Sequence, residues 1–165
     1  MSDLLLKELS QEAAITRRVL ERVPEDKLDW RPHPKSMSLG ELALHVANIP
    51  GNVSKLIRAG EFDASQTTFT PPAPGSLEEI FTAYDTSLKD AQEYLDSVDE
   101  KTAQEGWRLT FQGKEVFSSS RGEVIRTVMM NHWYHHRGQL SVYLRLLDVP
   151  LPIIYGRSAD ESPFA

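Results

Sequence analysis

The chain contains no cysteine. That absence excludes disulfides, thiolate metal ligands and a protein-borne thiol nucleophile, and it fits a reducing cytosol. No apolar run approaches the roughly 18 residues of a membrane span. The start, Met1-Ser2-Asp3, has no basic region, and its short leucine run meets Lys7 and Glu8 at once, unlike a signal peptide. The expected location is cytoplasmic, with no membrane partner. Positive charge is also scarce: 18 Lys and Arg stand against 24 Asp and Glu, a formal net charge of −6. A broad basic surface for a phosphate backbone is not available, so no nucleic-acid partner is expected. A Gly-rich phosphate loop is missing, as are the paired Glu-x-x-His motifs of di-metal carboxylate bundles. The run Ser118-Ser119-Ser120 has no spaced His/Asp partners and reads as a loop and helix cap.

What is present is the composition of an ordinary globular protein, long enough at 165 residues for one domain with a sizeable core, residues 1–165. Four segments carry apolar residues at helical spacing. Asp3–Val23 offers Leu6, Leu9, Ala13, Thr16 and Leu20 and stops at Pro24. Ser38–Ala59 offers Leu39, Leu42, Val46, Ile49, Val53 and Leu56. Ser76–Val98 offers Leu77, Phe81, Tyr84, Leu88, Ala91, Leu95 and Val98. The last segment runs from Arg121 to about Asp148, before Pro150. Three of the four open on Ser-x-x-Glu, at Ser38/Glu41, Ser76/Glu79 and Ser120/Glu123, the pattern of a capping box.

The connections differ in kind. Pro24–Lys35 is proline-rich and reads as extended, with His33 a loop residue between two prolines. Phe62–Gly75, with Pro71, Pro72 and Pro74, reads as a long polar crossover. Trp107–Phe111 and Glu115–Phe117 flank Gln112-Gly113-Lys114 and fit a short hairpin between the third and fourth helices. The fold class expected is therefore all-α: a four-helix bundle with long crossover connections, not a simple up-down-up-down chain.

The most informative residues are His132 and His136. They lie four apart in a stripe running Ile125, Met129, His132, His136, Leu140, Tyr143 and Leu147, so both rings share one helix face. His45, between Leu42 and Ile49 on the second helix, supplies a plausible third imidazole. A single histidine on an apolar face is usually a half-buried ring with one hydrogen-bond partner. Three on two core faces would each need a separate partner, and a shared metal ion satisfies all three. Neutral imidazoles bind Zn²⁺ at about 2.0–2.1 Å, and three protein ligands leave a fourth position open for chemistry. Imidazole also suits Ni²⁺ and Fe²⁺, so the expected cofactor is a divalent ion of unspecified identity.

Around this triad, His135 points about 100° away from His136 and is placed on the surface or behind the ligands. Gln139, three residues after His136, either orients a ring or bound water or is simply solvated. Gly138 costs about 1 kcal/mol in mid-helix, which implies close approach of a helix or ligand. Pro50-Gly51 should kink or break the second helix, either to open space beside a metal or for topology alone. Trp133 and Tyr134 are candidates for flank or interface contacts.

At Trp30-Arg31-Pro32, at Ser38–His45 and at His132-Trp-Tyr-His-His136-Arg-Gly-Gln-Leu, the chain resembles the DinB/YfiT-like family of metalloenzymes. The match continues through Tyr143-Leu-Arg145 and Val149–Gly156. The resemblance implies a dimeric four-helix bundle in which His45, His132 and His136 bind a divalent metal. It also implies a thiol-dependent transferase or isomerase, in which a low-molecular-weight thiol attacks an electrophilic small molecule. Two further readings stand beside it: a metal-dependent hydrolase, and a non-catalytic, stress-associated metal-binding or dimeric interaction module.

Overall fold

Ser38, Ser76 and Ser120 all stand at helix N-caps in the computed structural model of the chain, which describes residues 2–67 and 72–164. Each hydroxyl accepts from the backbone N–H three residues on: Glu41 at 3.2 Å, Glu79 at 3.2 Å and Glu123 at 3.3 Å. The return arm varies. Glu41 accepts from the Ser38 N–H at 2.6 Å and closes the box, whereas Glu79 accepts from the Gly75 N–H at 2.8 Å and Glu123 from the Ser119 hydroxyl.

The long helices are α1 (Ser2–Leu20), α2 (Leu39–Ala59) and α3 (Leu77–Asp96), followed by a short α4 (Glu100–Gln104). The last helical stretch has three parts: α5 (Arg121–Val124), a π-helical segment (Ile125–Asn131) and α6 (His132–Leu146). The hairpin is present as β2 (Gly106–Phe111) and β3 (Lys114–Ser120), antiparallel. Its turn places Gln112 at φ 51° and Gly113 at φ 75°, as a two-residue primed turn requires. A third strand, β1 (Glu61–Asp63), pairs parallel to β2 with Phe62 opposite Leu109. Three residues are too short a run for alternation to show. The strand follows from α2 ending at Gly60, whose φ of 78° turns the chain onto the hairpin edge.

Residues 68–71 of the expected crossover, Pro71 included, lie outside the described residues. The proline-rich Pro24–Lys35 segment holds a 3₁₀ turn at Glu25–Lys27. Beyond that turn, the Trp30 and Leu28 carbonyls accept from the N–H groups of Leu39 (2.7 Å) and Gly40 (2.9 Å), donors that a helix start leaves unpaired.

Named contacts fix the order of the bundle. Tyr84 donates to the Ala13 carbonyl at 2.7 Å, joining α3 to α1. Gly51 N–H donates to Ser87 Oγ at 2.8 Å, and Lys55 pairs with Asp90 at 2.7 Å, joining α2 to α3. Ser54 Oγ lies 3.3 Å from Met129 Sδ, joining α2 to the last stretch. Arg137 pairs with Glu12 at 2.6 Å, joining α6 to α1. Gly40 lies against Pro74, Gly51 against Ser87 and Arg58 over the Tyr94 ring, so α2 and α3 run parallel. The helices thus run up, down, down, up, which is why a long crossover joins the parallel pair. No described helix is long and apolar enough to cross a membrane.

Of the kink or break expected at Pro50, the break does not occur: α2 continues from Leu39 to Ala59 through it. Two side chains hold the turn. Ser54 Oγ donates to the Pro50 carbonyl at 2.7 Å, and Ser87 accepts from the Gly51 N–H. A Cβ on Gly51 would sit 2.7 Å from Ser87 Cα, so the two backbones touch here. Gly51→Ala is expected to overpack this crossing and cost about 1–3 kcal/mol. A thermal melt checks it, and an unchanged Tm would show that the helices can separate freely.

Candidate metal centre

The structure brings His45 of α2 together with His132 and His136 of α6. One nitrogen from each ring can be chosen so that all three lie within 4.8 Å of one another. The ring centroids are 5.3 Å (His45–His132), 4.5 Å (His45–His136) and 4.5 Å (His132–His136) apart, with interplanar angles of 66°, 85° and 66°. The rings therefore meet edge to face, with nitrogens converging rather than planes stacking. Nitrogens bound tetrahedrally at about 2.1 Å stand roughly 3.4 Å apart, so small ring rotations suffice to close on an ion. Among the described residues this is the only group of three or more His, Asp or Glu so arranged, and no carboxylate belongs to it.

All three rings are half-buried, at the solvent edge of the α2–α6 seam. That corrects the expected position of His132 and His136 in the centre of the core stripe. The fully buried line on this stretch is Ile125, Met129, Met130, Trp133, Arg137, Leu140 and Leu144. The π-helical segment explains the shift. Its wider turn takes up one extra residue, so the stripe after it is carried one position along: Trp133 and Arg137 take the core line, and the two histidines stand beside it. Trp133 is accordingly a core residue, with no exposed surface, rather than a flank or interface residue.

The triad rings are held from behind. Gln139 Oε1 lies 2.7 Å from His136 Nδ1, which makes Nδ1 the protonated nitrogen and leaves Nε2 with a free lone pair. Burial holds His132 below the ordinary imidazole range, opposed by a hydrogen bond to the Val128 backbone. His136 is also held low by burial, opposed by Gln139. His45 is pushed furthest, to about 4, by burial first and then by the charges His136 and His132 would carry. All three are thus neutral at pH 7, the state that binds a cation. Gln139→Ala removes the orienting acceptor from an exposed position, so it should leave the fold intact and weaken metal binding about 10–100-fold. Competition against a chromogenic chelator reads this; unchanged affinity would make Gln139 a bystander.

The same burial sets an acid sensitivity for the metal-free protein. Unfolded chains protonate His45 near 6.5, folded ones only near about 4. Between those values the unfolded state binds more protons, so stability is full above the upper value and falls as pH drops towards the lower one. Tm of metal-free protein should therefore fall between pH 7.5 and pH 5, and less so for His45→Asn. A flat profile would mean the ring is better solvated than its packing indicates.

His135 is exposed and its ring lies 4.9 Å from that of His136, beside the triad and outside it. His33 sits in its exposed loop, where Nδ1 accepts from the Lys35 N–H at 3.1 Å. Gly138 does not mark the close approach of another helix: a Cβ there would meet no protein atom within 4 Å.

Arg137, next to His136 in sequence, was not legible as a structural residue. Its side chain is 1% exposed and paired with Glu12, itself 12% exposed. It donates to Thr16 Oγ1 at 3.0 Å, to the Glu12 carbonyl at 3.2 Å and to the Tyr155 hydroxyl, and it lies over the Tyr134 and Tyr155 rings. Tyr155 also donates to Glu12 at 2.9 Å, and Tyr134 to Glu8 at 2.7 Å. This ion pair fixes α6, α1 and the C-terminal segment around one point beside the turn that carries His132 and His136.

An up-down-down-up helical bundle carrying three convergent imidazoles at one seam, with a small sheet at its side, defines a class of histidine-triad bundle proteins. The chain belongs to the DinB family, whose model matches residues 1–163. It is 26% identical over 163 residues to the uncharacterized protein YrdA of Bacillus subtilis, covering 96% of this chain and 90% of that one. Among solved structures, it shares its fold with a DinB-like protein of B. subtilis, YjoA (TM-score 0.71, 19% identity, 94% of this chain and 99% of that one). A DinB-like protein of Bacillus cereus has the same fold (TM-score 0.68, 23% identity, 92% and 95%).

Proposed function

We propose that this protein is a mononuclear metal-dependent enzyme that activates a low-molecular-weight thiol for transfer to an electrophile. The observation that carries the proposal is a three-nitrogen site at a solvent-facing seam, with neutral ligands and no fourth side-chain ligand among the described residues. Structural sites close with four ligands, whereas three leave a position for an exogenous group. A divalent ion bound there supplies Lewis acidity that lowers the pKa of a thiol or water.

The chain's own residues do the remaining work. His45, His132 and His136 set the open direction outward from the α2–α6 seam. Gln139 fixes the His136 tautomer. With no cysteine in the chain, the thiol must come from solution. It gives up its proton to solvent; its sulfur pair then forms the new bond to carbon, while the leaving group departs with its own electron pair. The family resemblance favours thiol over water as the activated group.

Cobalt-loaded protein tests this. Cysteamine should produce a sulfur-to-cobalt charge-transfer band. The same protein should conjugate 1-chloro-2,4-dinitrobenzene with release of chloride, and both signals should vanish in His132→Ala. Full cobalt content with no band would replace thiol activation by metal-assisted hydrolysis of an ester or amide.

A further inference from the structure

We infer that the groove between α2 and α3 is the binding site for the tail of the cosubstrate, and that it selects a hydrophilic tail bearing a positive charge; this rests on the metal-centre reading above. The groove has a volume of about 520 Å³ and contains none of the histidines. It nevertheless adjoins them. His45 is half-buried on α2, and Asn48, one turn further along the same outward face, lines the groove. Because α2 and α3 run parallel with Gly51 against Ser87, His45, six residues earlier, is level with Phe81. The groove residues at that level are Glu78, Glu79 and Thr82. An adjacent helix axis is about 8–10 Å away, so a tail of roughly seven bonds spans α2 to the groove.

The chemistry of the walls decides what fits. Ligand pockets are ordinarily lined by apolar and aromatic side chains. Here the only hydrocarbon side chain is Ala83; the rest are amides, hydroxyls and charges. The groove's apolar surface comes from the methyls and methylenes of these side chains, with no aromatic ring to stack on, so a hydroxyl- or amine-bearing group finds hydrogen-bond partners there that an aromatic ring cannot use. The charge is signed as well. Lys55 is taken up by Asp90 at 2.7 Å, while Glu78 and Glu79 form no ion pair among the described residues. The end of the groove nearest the triad is therefore net negative, and it attracts an ammonium and repels a carboxylate.

The test uses the full-length, cobalt-loaded protein and three thiols whose six-carbon chains reach the groove: 6-amino-1-hexanethiol, 6-mercapto-1-hexanol and 6-mercaptohexanoate. From the charge-transfer band, Kd should rise in that order, with the aminothiol roughly 10-fold tighter than the mercaptocarboxylate at low salt. In Glu78→Gln/Glu79→Gln, which leaves the metal ligands untouched, cobalt content should be unchanged and the preference should collapse. A second arm needs no thiol: 2-amino-1,3-propanediol should shift the Asn48 side-chain amide resonances of zinc-loaded protein, and glycerate should not. Equal affinities for the three thiols, or a preference that survives the double variant, would overturn the groove assignment. If no thiol gives a band but the aminodiol still shifts Asn48, the groove stands and thiol activation falls. If neither aminodiol nor glycerate shifts Asn48, the groove falls whatever the thiols do.

Discussion

His132→Ala should purify folded and without metal. A half-buried imidazole contributes little packing, so the metal-free variant should melt close to metal-free wild type. Metal is a different matter, because each ring supplies one of only three nitrogens. Loss of an outer-shell partner costs about 10–100-fold in metal affinity, and loss of a ligand must cost more. Elemental analysis after dialysis should fall from one ion per chain to near zero for His132→Ala, and likewise for His45→Ala and His136→Ala. His135→Ala should keep its ion, since that ring is exposed beside the triad. Undiminished metal in all three triad variants would remove this site from the molecule.

Arg137→Met should have the largest effect on stability. The side chain is almost wholly enclosed, and removing it leaves the Glu12 carboxylate 12% exposed with its cation gone. Breaking a buried pair from one side costs about 3–5 kcal/mol, because the remaining charge is uncompensated. For a chain of this length that is a fall in Tm of roughly 10 °C. Adding Glu12→Gln should restore part of it, since the stranded charge is then removed. Arg137→Lys should not rescue fully, because one ammonium cannot serve Glu12, Thr16 and Tyr155 as a planar guanidinium does. A single variant that melts with wild type would mean water reaches Glu12 and the pair is not structural.

These two variants mark how far the sequence could be read. Capping serines placed three helix starts at the observed N-caps, because a cap is a local device whose partners lie three residues away. The turn at Gln112-Gly113 was legible for the same reason. The triad was also legible, since an i,i+4 pair survives a small rotation of its helix. What was lost depended on distant packing. No local pattern announces the π-helical segment at Ile125–Asn131, and straight helical counting across it put His132 and His136 in the core line and left Trp133 outside. Arg137 was passed over because a charged residue is read as solvent-facing unless its partner is known, and Glu12 lies 125 residues earlier. In α3, Ile80 and Tyr94 are fully buried although the stripe did not include them, while Phe81 and Leu88 pack against the core half-buried, since the neighbours on both sides set which edge of a wide stripe is covered.

X-ray absorption at the zinc edge of the loaded protein tests the central claim most directly. Three imidazole nitrogens at about 2.0–2.1 Å and one further light atom are predicted, with that fourth scatterer replaced by sulfur at about 2.3 Å when cysteamine is added. A first shell with two imidazoles or fewer, or one closed by a fourth protein ligand that thiol does not displace, would contradict an open histidine-triad centre.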